Sequence, residues 1–398
     1  MKKHLGWVIR MLIAALGIGY IVYTLNWSDK VTLPPGYVSV EGRQLSYDQS
    51  ETYFVVEQSK DSYFIRHTNA PFSGRYDEGT IAKSQIGTSD DQPQFKPSFI
   101  TILKQADQAL LIGGGLIMVP VVLLASLRWW VLMRARRIAI AYTRVVRLTL
   151  AGYFFNLCMP GTTGGDVMKA YYAAKGTRQR PDAVVSIGID RLCGLIGLII
   201  LVALIGLLSL DDPLIRRITI AMWLGLAGLI TTAWLYTSPT LRSRLRLEAR
   251  FGSLPGAKVV RKVDAWVSAY RRHLGALSGA IGLSILIHTC LATTMTLAGF
   301  AMGVQQPAVF LIGMIPIVLV LWSLPVSGPL GLGPLDYVAV HLIIGSSPTT
   351  DQQALMMFVA FRLYLVGVGL VGAIALLGLG GRPASGAESS EREAEAGP

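Results

Sequence analysis

Several apolar runs in this sequence of 398 residues are long enough to cross a lipid bilayer. A helix needs about 18 to 20 consecutive apolar residues for such a crossing. Only 15% of the residues are charged, against about 25% in soluble proteins. The runs also lack the polar stripe that the helices of a soluble bundle carry. The chain is therefore predicted to be an all-α polytopic membrane protein.

Six full transmembrane helices are predicted, at 5–26, 108–133, 183–210, 214–236, 277–302 and 354–379. The first run is interpreted as an uncleaved anchor over 1–27. A cleaved signal peptide is the rival interpretation, but the apolar region is too long for one and shows no small-residue cleavage site. A transmembrane domain is placed at 107–380. Residues 381–398, rich in Ala, Glu and Ser, are predicted to form a disordered tail.

Residues 28–106 differ in kind from the rest of the chain, because they are polar and mix acidic with basic side chains. Aromatic and β-branched residues bounded by Gly, Ser and Asp predict strands at 37–41, 53–57 and 62–66. We interpret the segment as a small β-rich insert followed by a looser linker.

The net charge of +12 comes from Lys and Arg in the loops beside the spans. That placement indicates membrane topology and contact with anionic lipid, so nucleic acid is not expected as a partner. The positive-inside rule places both termini, the arginines after 133 and the loop 238–275 in the cytoplasm of an inner membrane. The insert is then extracytoplasmic. The three cysteines are interpreted as packing residues, and neither a metal nor a cofactor is expected.

Two apolar segments, 148–172 and 307–344, do not form simple spans, because Pro and Gly interrupt them. The flanking charges put both ends of the first in the cytoplasm and both ends of the second outside. Each is predicted to be a re-entrant hairpin, and the two enter from opposite faces. Broken backbone at membrane depth is tolerated only against protein or a watery cavity. Interfacial loops and turns are the alternative interpretation.

Polar residues and glycines cluster at these breaks. The candidates are Asn156, Pro160, Gly161, Gly164, Gly165, Asp166 and Lys169 in the first segment and Gly331, Gly333 and Asp336 in the second. The free amides at the start of a half-helix form an anion site. Asp166 and Asp336 each follow a glycine-rich turn and are expected to cap such a start. For Asp166, capping alone is an alternative to a role in function.

Charged residues inside the predicted spans form a second constellation. Ser186 and Asp190 lie four residues apart and share a helix face, with Arg191 next to them. A structural ion pair and a substrate pathway both remain open for them. Arg362, inside the last span, needs a buried partner, and Asp336 is the candidate. Arg128 is interpreted as an interfacial anchor beside its tryptophans, and His288 and His341 as lone histidines.

The motifs occur in the order Asn156…Pro160-Gly161-x-x-Gly164-Gly165-Asp166-x-x-Lys169, Ser186-x-x-x-Asp190-Arg191 and Gly331-Leu-Gly333-x-x-Asp336. In this order they resemble the lysylphosphatidylglycerol synthase transmembrane region, a flippase-like family, over about 108–380. The resemblance implies an all-helical fold with paired re-entrant hairpins. Lys169 stands where the family has Arg, and Asp336 where it has Glu. The insert 28–106 is not typical of the family.

Bifunctional members of this family carry a large aminoacyltransferase domain. Only a short tail follows residue 381, so that domain is expected to be absent and the chain is expected not to be an enzyme.

The leading hypothesis is translocation of a lipid or lipid-linked substrate between bilayer leaflets. An anionic or zwitterionic headgroup would contact Lys169, Arg191 and Arg362. Asp166, Asp190 and Asp336 would orient those cations or bind a cationic headgroup. The alternative is a non-transporting accessory subunit of a glycolipid or cell-envelope enzyme, with the insert as its docking module. A homo-oligomer is left open. A catalytic role ranks third, because the sequence shows no nucleophile–base pair.

Overall fold

The computed structural model describes residues 26–38, 41, 45, 50–67, 78–87, 91–158, 164–175, 177, 179–209, 213–237, 270, 272–323, 334–345 and 347–377. The predicted first span at 5–26, the tail 381–398 and most of the basic loop lie outside these ranges, as do Pro160, Gly161, Gly331 and Gly333.

The described part of the chain is mostly helical. Its α-helices are α1 Phe99–Gln105, α2 Gln108–Ala135, α3 Tyr142–Cys158, α4 Gly164–Lys175, α5 Arg180–Ile205, α6 Pro213–Thr237, α7 Leu274–Ala301, α8 Ala308–Ser323, α9 Pro334–Ile344 and α10 Asp351–Leu377. Single 3-10 turns lie at Lys83–Gln85 and Gly206–Ser209.

Four of these helices, α2, α5, α7 and α10, are long and apolar enough to cross a membrane. They match four of the six predicted spans to within a few residues at most ends. Helix α6 coincides with the predicted span 214–236. The count of six full spans stays a prediction, because the first lies outside the described residues.

The outer face of α2 is apolar. Ile112, Leu116, Val119 and Leu123 are all exposed, and their spacing places them on one side of the helix. A contiguous apolar face of this kind is rare on a soluble monomer, whereas lipid tails cover it without cost. The inward side of α2 holds the buried residues, so this helix has the inside–outside pattern of a membrane protein.

Local signals set where two of these helices begin. The Asp107 side chain accepts hydrogen bonds from the amides of Ala109 (2.8 Å) and Leu110 (3.1 Å), which caps α2. Before α10, Thr350 and Gln353 form a reciprocal capping box: the Gln353 amide donates to Thr350 Oγ1 (3.3 Å), and the Thr350 amide donates to Gln353 Oε1 (2.9 Å).

The insert contains a five-stranded antiparallel sheet in the order β4-β3-β2-β1-β5. The strands are β1 Lys30–Leu33, β2 Glu51–Gln58, β3 Ser62–His67, β4 Glu78–Ala82 and β5 Gln94–Lys96. Alternate residues of the strands form a separate small core that includes Val31, Tyr53, Ile65 and Ile81.

The predicted strands at 53–57 and 62–66 are confirmed as parts of β2 and β3. The strand predicted at 37–41 is wrong over its described residues, since only Val38 makes an isolated bridge. Two prolines and Gly36, whose φ is 74°, turn the chain after β1 and carry it away from the ladder. The region interpreted as a linker contains β4 and β5, whose short alternating patterns are weak signals.

The helix bundle has two distinct ends. At one end of the bundle α2 and α10 begin and α7 ends. We call this the sheet end. There the Asp107 amide donates to the Ala301 carbonyl (3.1 Å), and the Asn26 amide donates to Gln352 Oε1 (3.1 Å). We call the opposite end the arginine end. There Arg136 pairs with Asp182 at the start of α5 (2.7 Å).

The two broken segments each form a pair of helices, α3 with α4 and α8 with α9. Helix α3 begins beside the arginine end, where Trp130 Nε1 donates to the Ile140 carbonyl (3.1 Å), and α4 finishes shortly before α5 begins there. In the other pair, Gln306 precedes α8 and donates to the carbonyls of Ile343 (2.8 Å) and Ile344 (2.6 Å) in α9. Each pair therefore enters and leaves at one end of the bundle, and the two pairs use opposite ends.

Candidate functional site

The four helices of the broken pairs are short. Helix α3 has 17 residues, α4 has 12, α8 has 16 and α9 has 11. At about 1.5 Å per residue they reach about 16 to 26 Å. The hydrocarbon core of a bilayer is about 30 Å thick. Each helix of the two pairs is therefore shorter than the hydrocarbon core.

The same charge pair occurs in both halves of the bundle. Asp166 is the third residue of α4, and it forms an ion pair with Arg191, the twelfth residue of α5. Asp336 is the third residue of α9, and it forms an ion pair (2.5 Å) with Arg362, the twelfth residue of α10. In each case a carboxylate near the start of a half-helix meets an arginine of the next long helix.

The two pairs differ in exposure. The side chains of Arg362 and Asp336 are 6% and 1% exposed, whereas those of Arg191 and Asp166 are 45% and 24% exposed. The prediction that Asp336 is the partner of Arg362 is confirmed. Both aspartates lie inside the first turn of their helices, where the helix dipole also stabilises a carboxylate. They do not occupy the capping position that precedes a helix.

An aromatic ring lies beside the arginine of the buried pair. The Arg362 guanidinium lies 4.6 Å from the ring centroid of Trp322, and that ring contacts Phe358 and Phe361. A cation over a tryptophan face gains about 2 kcal/mol when both groups are desolvated. The arginine is therefore held between a carboxylate and a ring, and its orientation is fixed from two sides.

Arg128 is not the interfacial anchor that its position beside two tryptophans suggested. It points inward from α2 and binds Asp190 of α5 through two hydrogen bonds, from Nε (2.7 Å) and Nη2 (3.1 Å). Its Nη1 donates to Ser284 of α7 (2.9 Å). A guanidinium this far along an apolar helix is stable only with such partners. Arg128 thus joins three long helices at one point.

Glycines make room for this junction. A Cβ on Gly194 would lie 3.1 Å from the Arg128 guanidinium, and a Cβ on Gly197 would overlap the Ser284 side chain. Helices α5 and α7 therefore approach closely beside the guanidinium. Asp190 pairs with an arginine 62 residues away and not with Arg191, its neighbour in sequence.

The residue after Arg128 links two more predicted site residues. Trp129 Nε1 donates to Ser186 Oγ (3.0 Å), and the Lys169 ammonium lies 5.3 Å from the Trp129 ring centroid. Ser186 and Asp190 share the face of α5 that contacts α2, as their four-residue spacing predicted. Lys169, Ser186 and Asp190 therefore belong to one cluster with Arg128 and Trp129, which we call the inner cluster.

The half-helices α3 and α4 approach backbone to backbone. The Gly165 amide donates to Asn156 Oδ1 (2.7 Å), and a Cβ on Gly165 would overlap the Gly152 carbonyl. A Cβ on Gly152 would lie 2.8 Å from Cε of Lys169. The glycines of this motif therefore allow close packing and leave space for the lysine side chain. Gly164 is also buried.

Gly165→Ala should destabilise the protein by at least about 1–3 kcal/mol, the usual cost of overpacking, because backbone atoms cannot yield as a flexible side chain does. Thermal melting in detergent measures this effect. The matched control is Gly113→Ala in α2, where a Cβ meets nothing within 4 Å. That change should raise stability slightly, since alanine favours helix. Equal melting temperatures for the two variants would contradict the close approach.

Four residues of the site were not predicted from the sequence: Arg128, Trp129, Ser284 and Trp322. The available signal was a lone arginine inside an apolar helix, but its partners lie 62 and 156 residues away. His288 contacts the Ser284 carbonyl of its own helix through Nδ1 (2.7 Å), which indicates a structural role. Cys193 is buried among apolar neighbours, in agreement with its interpretation as a packing residue.

Comparison with known protein families gives a match that covers most of the described helices. The family model described as the lysylphosphatidylglycerol synthase TM region matches residues 97–373, which include α1 to α9 and most of α10. No curated protein and no solved structure gave a significant match. The resemblance inferred from the motifs is thereby confirmed. The chain belongs to the family of the lysylphosphatidylglycerol synthase transmembrane region.

Proposed function

We propose that this membrane protein translocates a lipid or lipid-linked substrate between the leaflets of the bilayer. The observation that carries the proposal is the repeated arrangement of two opposed pairs of half-helices, each with an aspartate paired to an arginine of the next long helix. Half-helices that meet near the midplane from opposite sides are the layout of transporters that expose one site to either face in turn. In a bilayer, both pairs are then re-entrant hairpins.

The charge pairs suit a phosphate-bearing headgroup. An arginine fork binds carboxylate and phosphate with the same two-pronged geometry, so a headgroup can replace Asp166 or Asp336 as its partner. Such an exchange keeps the arginine paired at membrane depth, where an unpaired charge is costly, while the displaced aspartate needs water or a proton. The inner cluster supplies a further cation, Lys169. Acyl chains stay in the bilayer along the exposed apolar faces of the long helices.

The arginine end is cytoplasmic in this proposal. It contains Arg134 in the last turn of α2, Arg136 and Arg137 directly after it, and Arg144 and Arg147 in the first two turns of α3, with no acid among them. The positive-inside rule assigns such a cluster to the cytoplasm of an inner membrane. The sheet end then faces the extracytoplasmic side. Substrate reaches Asp166 and Arg191 from the cytoplasmic leaflet and Asp336 and Arg362 from the outer one.

Leaflet exchange in proteoliposomes tests the proposal. Fluorescent phosphatidylglycerol, phosphatidylethanolamine and native envelope lipids are each reconstituted with the protein, and the fraction accessible to an impermeant quencher is followed. At least one lipid should exchange faster than in protein-free vesicles. If none does, the second candidate, an accessory subunit of a glycolipid or cell-envelope enzyme, is favoured. That candidate draws on the sheet, which offers a docking module outside the membrane.

The proposal also holds that the chain moves a lipid and makes none. The same vesicles, supplied with lysyl-tRNA and phosphatidylglycerol, should yield no lysyl-lipid by mass spectrometry. Lysyl-lipid formation by the purified chain would overturn this part of the proposal and leave the exchange result unaffected.

A further inference from the structure

A cavity of about 650 Å³ lies between the sheet and the helix bundle at the sheet end. The edge of the sheet formed by β1 and β5 provides one wall, and α9 together with the start of α10 provides the other. Lys30, Lys96, Asp336, Tyr337, His341 and Gln352 are among the residues that line it. Its volume falls in the range of small-molecule sites, about 300 to 1,000 Å³.

Two lysines face each other on the sheet side of this cavity. Lys30 of β1 and Lys96 of β5 are direct partners in the antiparallel ladder. Like charges in directly opposed positions destabilise a sheet. Lys30 Nζ donates to Asn26 Oδ1 (3.0 Å), a neutral acceptor, so this contact leaves the repulsion in place. An anion between the two ammonium groups would remove it.

The two carboxylates that line the cavity are already engaged. Asp351 lies in the first turn of α10, where the helix dipole stabilises it. Asp336 is bound to Arg362. Arg362 offsets the charge of Asp336, and Asp351 offsets at most one of the two lysines, so the charged groups in and beside the cavity sum to a positive charge.

The cavity reaches toward membrane depth. Asp336 lines it and is 1% exposed, and its partner Arg362 lies eleven residues beyond the start of α10. Eleven residues of helix correspond to about 16 Å, half the thickness of the hydrocarbon core. On the helices that carry Asp336 and Arg362, Val338 and Leu363 are exposed and apolar. A headgroup in the cavity can thus leave its acyl chains in the bilayer.

We propose that this cavity binds the phosphate group of an anionic lipid headgroup in the outer leaflet, held by Lys30 and Lys96 next to the pair of Asp336 and Arg362. The inference rests on the proposed function and assigns the sheet to the transport site. Tyr337, Gln352 and Thr349 also line the cavity and carry polar groups of the kind that bind the hydroxyls of a headgroup. A free phosphate compound has the same charge chemistry, so the test separates the two sources.

Native mass spectrometry of the full chain in detergent measures binding of short-chain phosphatidylglycerol in one arm and glycerol phosphate in the other. Lys30→Gln and Lys96→Gln should each weaken lipid binding by about tenfold, which corresponds to about 1.4 kcal/mol. Lys60→Gln, at an exposed turn of the same sheet outside the cavity, should change it less than twofold. Glycerol phosphate should bind more weakly than the lipid.

In a melting experiment, stability is expected to change in the opposite direction to lipid binding. Because the glutamine removes one of two facing charges, Lys96→Gln should melt at or above the wild-type temperature while it binds lipid less well. Lys30→Gln also loses the contacts of its ammonium group with Asn26 and the Phe54 ring, so Lys96→Gln carries the stability test. A lower melting temperature for Lys96→Gln would overturn the lysine repulsion. Lipid binding unchanged in both variants would overturn the site. Glycerol phosphate bound as tightly as the lipid would overturn the lipid assignment.

Leaflet exchange separates this inference from the proposed function. Exchange by the wild type together with unchanged binding in both lysine variants overturns the cavity site and leaves the function. Weakened binding in the variants without exchange by the wild type supports the site and overturns the function.

Discussion

Replacing Arg362 by alanine should lower the free energy of unfolding by about 3–5 kcal/mol and stop leaflet exchange. The change leaves the Asp336 carboxylate, which is 1% exposed, without the arginine that balances its charge. A buried charge that loses its partner costs about this much. It also removes the cation that lies over the Trp322 ring. Thermal melting followed by tryptophan fluorescence measures the first effect, and exchange in vesicles measures the second.

Two further variants serve as controls: one breaks an exposed ion pair elsewhere, and the other removes both charges of the Asp336–Arg362 pair. Arg136→Ala breaks an ion pair whose side chains are 27% and 30% exposed, and it should cost about 1 kcal/mol or less. The double variant Asp336→Asn with Arg362→Gln removes both charges, so it should regain much of the stability and still fail to exchange lipid. A double variant that exchanges at the wild-type rate would show that the pair is structural. An Arg362→Ala protein as stable as Arg136→Ala would contradict the buried pair.

Replacing Arg128 by alanine should destabilise the protein by a similar amount, about 3–5 kcal/mol, because Asp190 is then left unpaired inside the bundle. The Asp190 residue is 8% exposed, and Arg128 supplies both of its charged hydrogen bonds, at 2.7 and 3.1 Å. The contact to Ser284 is lost as well. The expected result is a large fall in melting temperature in detergent.

Arg128→Lys is the matched variant. Lysine keeps the charge but reaches one acceptor at a time, so it loses the two-pronged contact and the bond to Ser284. Its melting temperature should lie between those of the wild type and Arg128→Ala. A lysine variant as stable as the wild type would show that the charge alone matters and that the fork geometry does not.

Much of the fold could be predicted from the sequence because the bilayer sets its own length scale. Runs of apolar residues near 20 in length identified α2, α5, α7 and α10. Pro and Gly at 160–161 and 325–334 indicated that 148–172 and 307–344 are not single spans, and the structure describes two helices in each segment. The sheet was harder to predict. β4 and β5 have five and three residues, and they gain their stability from pairing partners that a local pattern does not reveal.

The contacts within the candidate site were also difficult to predict, because they join residues that are far apart in the sequence. Arg362 could be assigned to Asp336 because the broken segment and the last span each offered one charge in need of a partner. Asp190 could not be assigned to Arg128, because two arginines competed for it and Arg191 was adjacent in sequence. Helix geometry decides the outcome: adjacent residues on a helix point about 100° apart, so Asp190 faces α2 while Arg191 faces α4.

Leaflet exchange by Asp166→Asn, compared with the wild type in vesicles of the same composition, tests the central claim most directly. Asparagine keeps the size of the side chain and removes only the charge that pairs with Arg191. A hydrogen bond to a charged group contributes about 1.5–3 kcal/mol, so the rate should fall by about tenfold or more. The melting temperature should change little, because this pair is partly exposed. Exchange at the wild-type rate would contradict the claim that these charge pairs carry the headgroup.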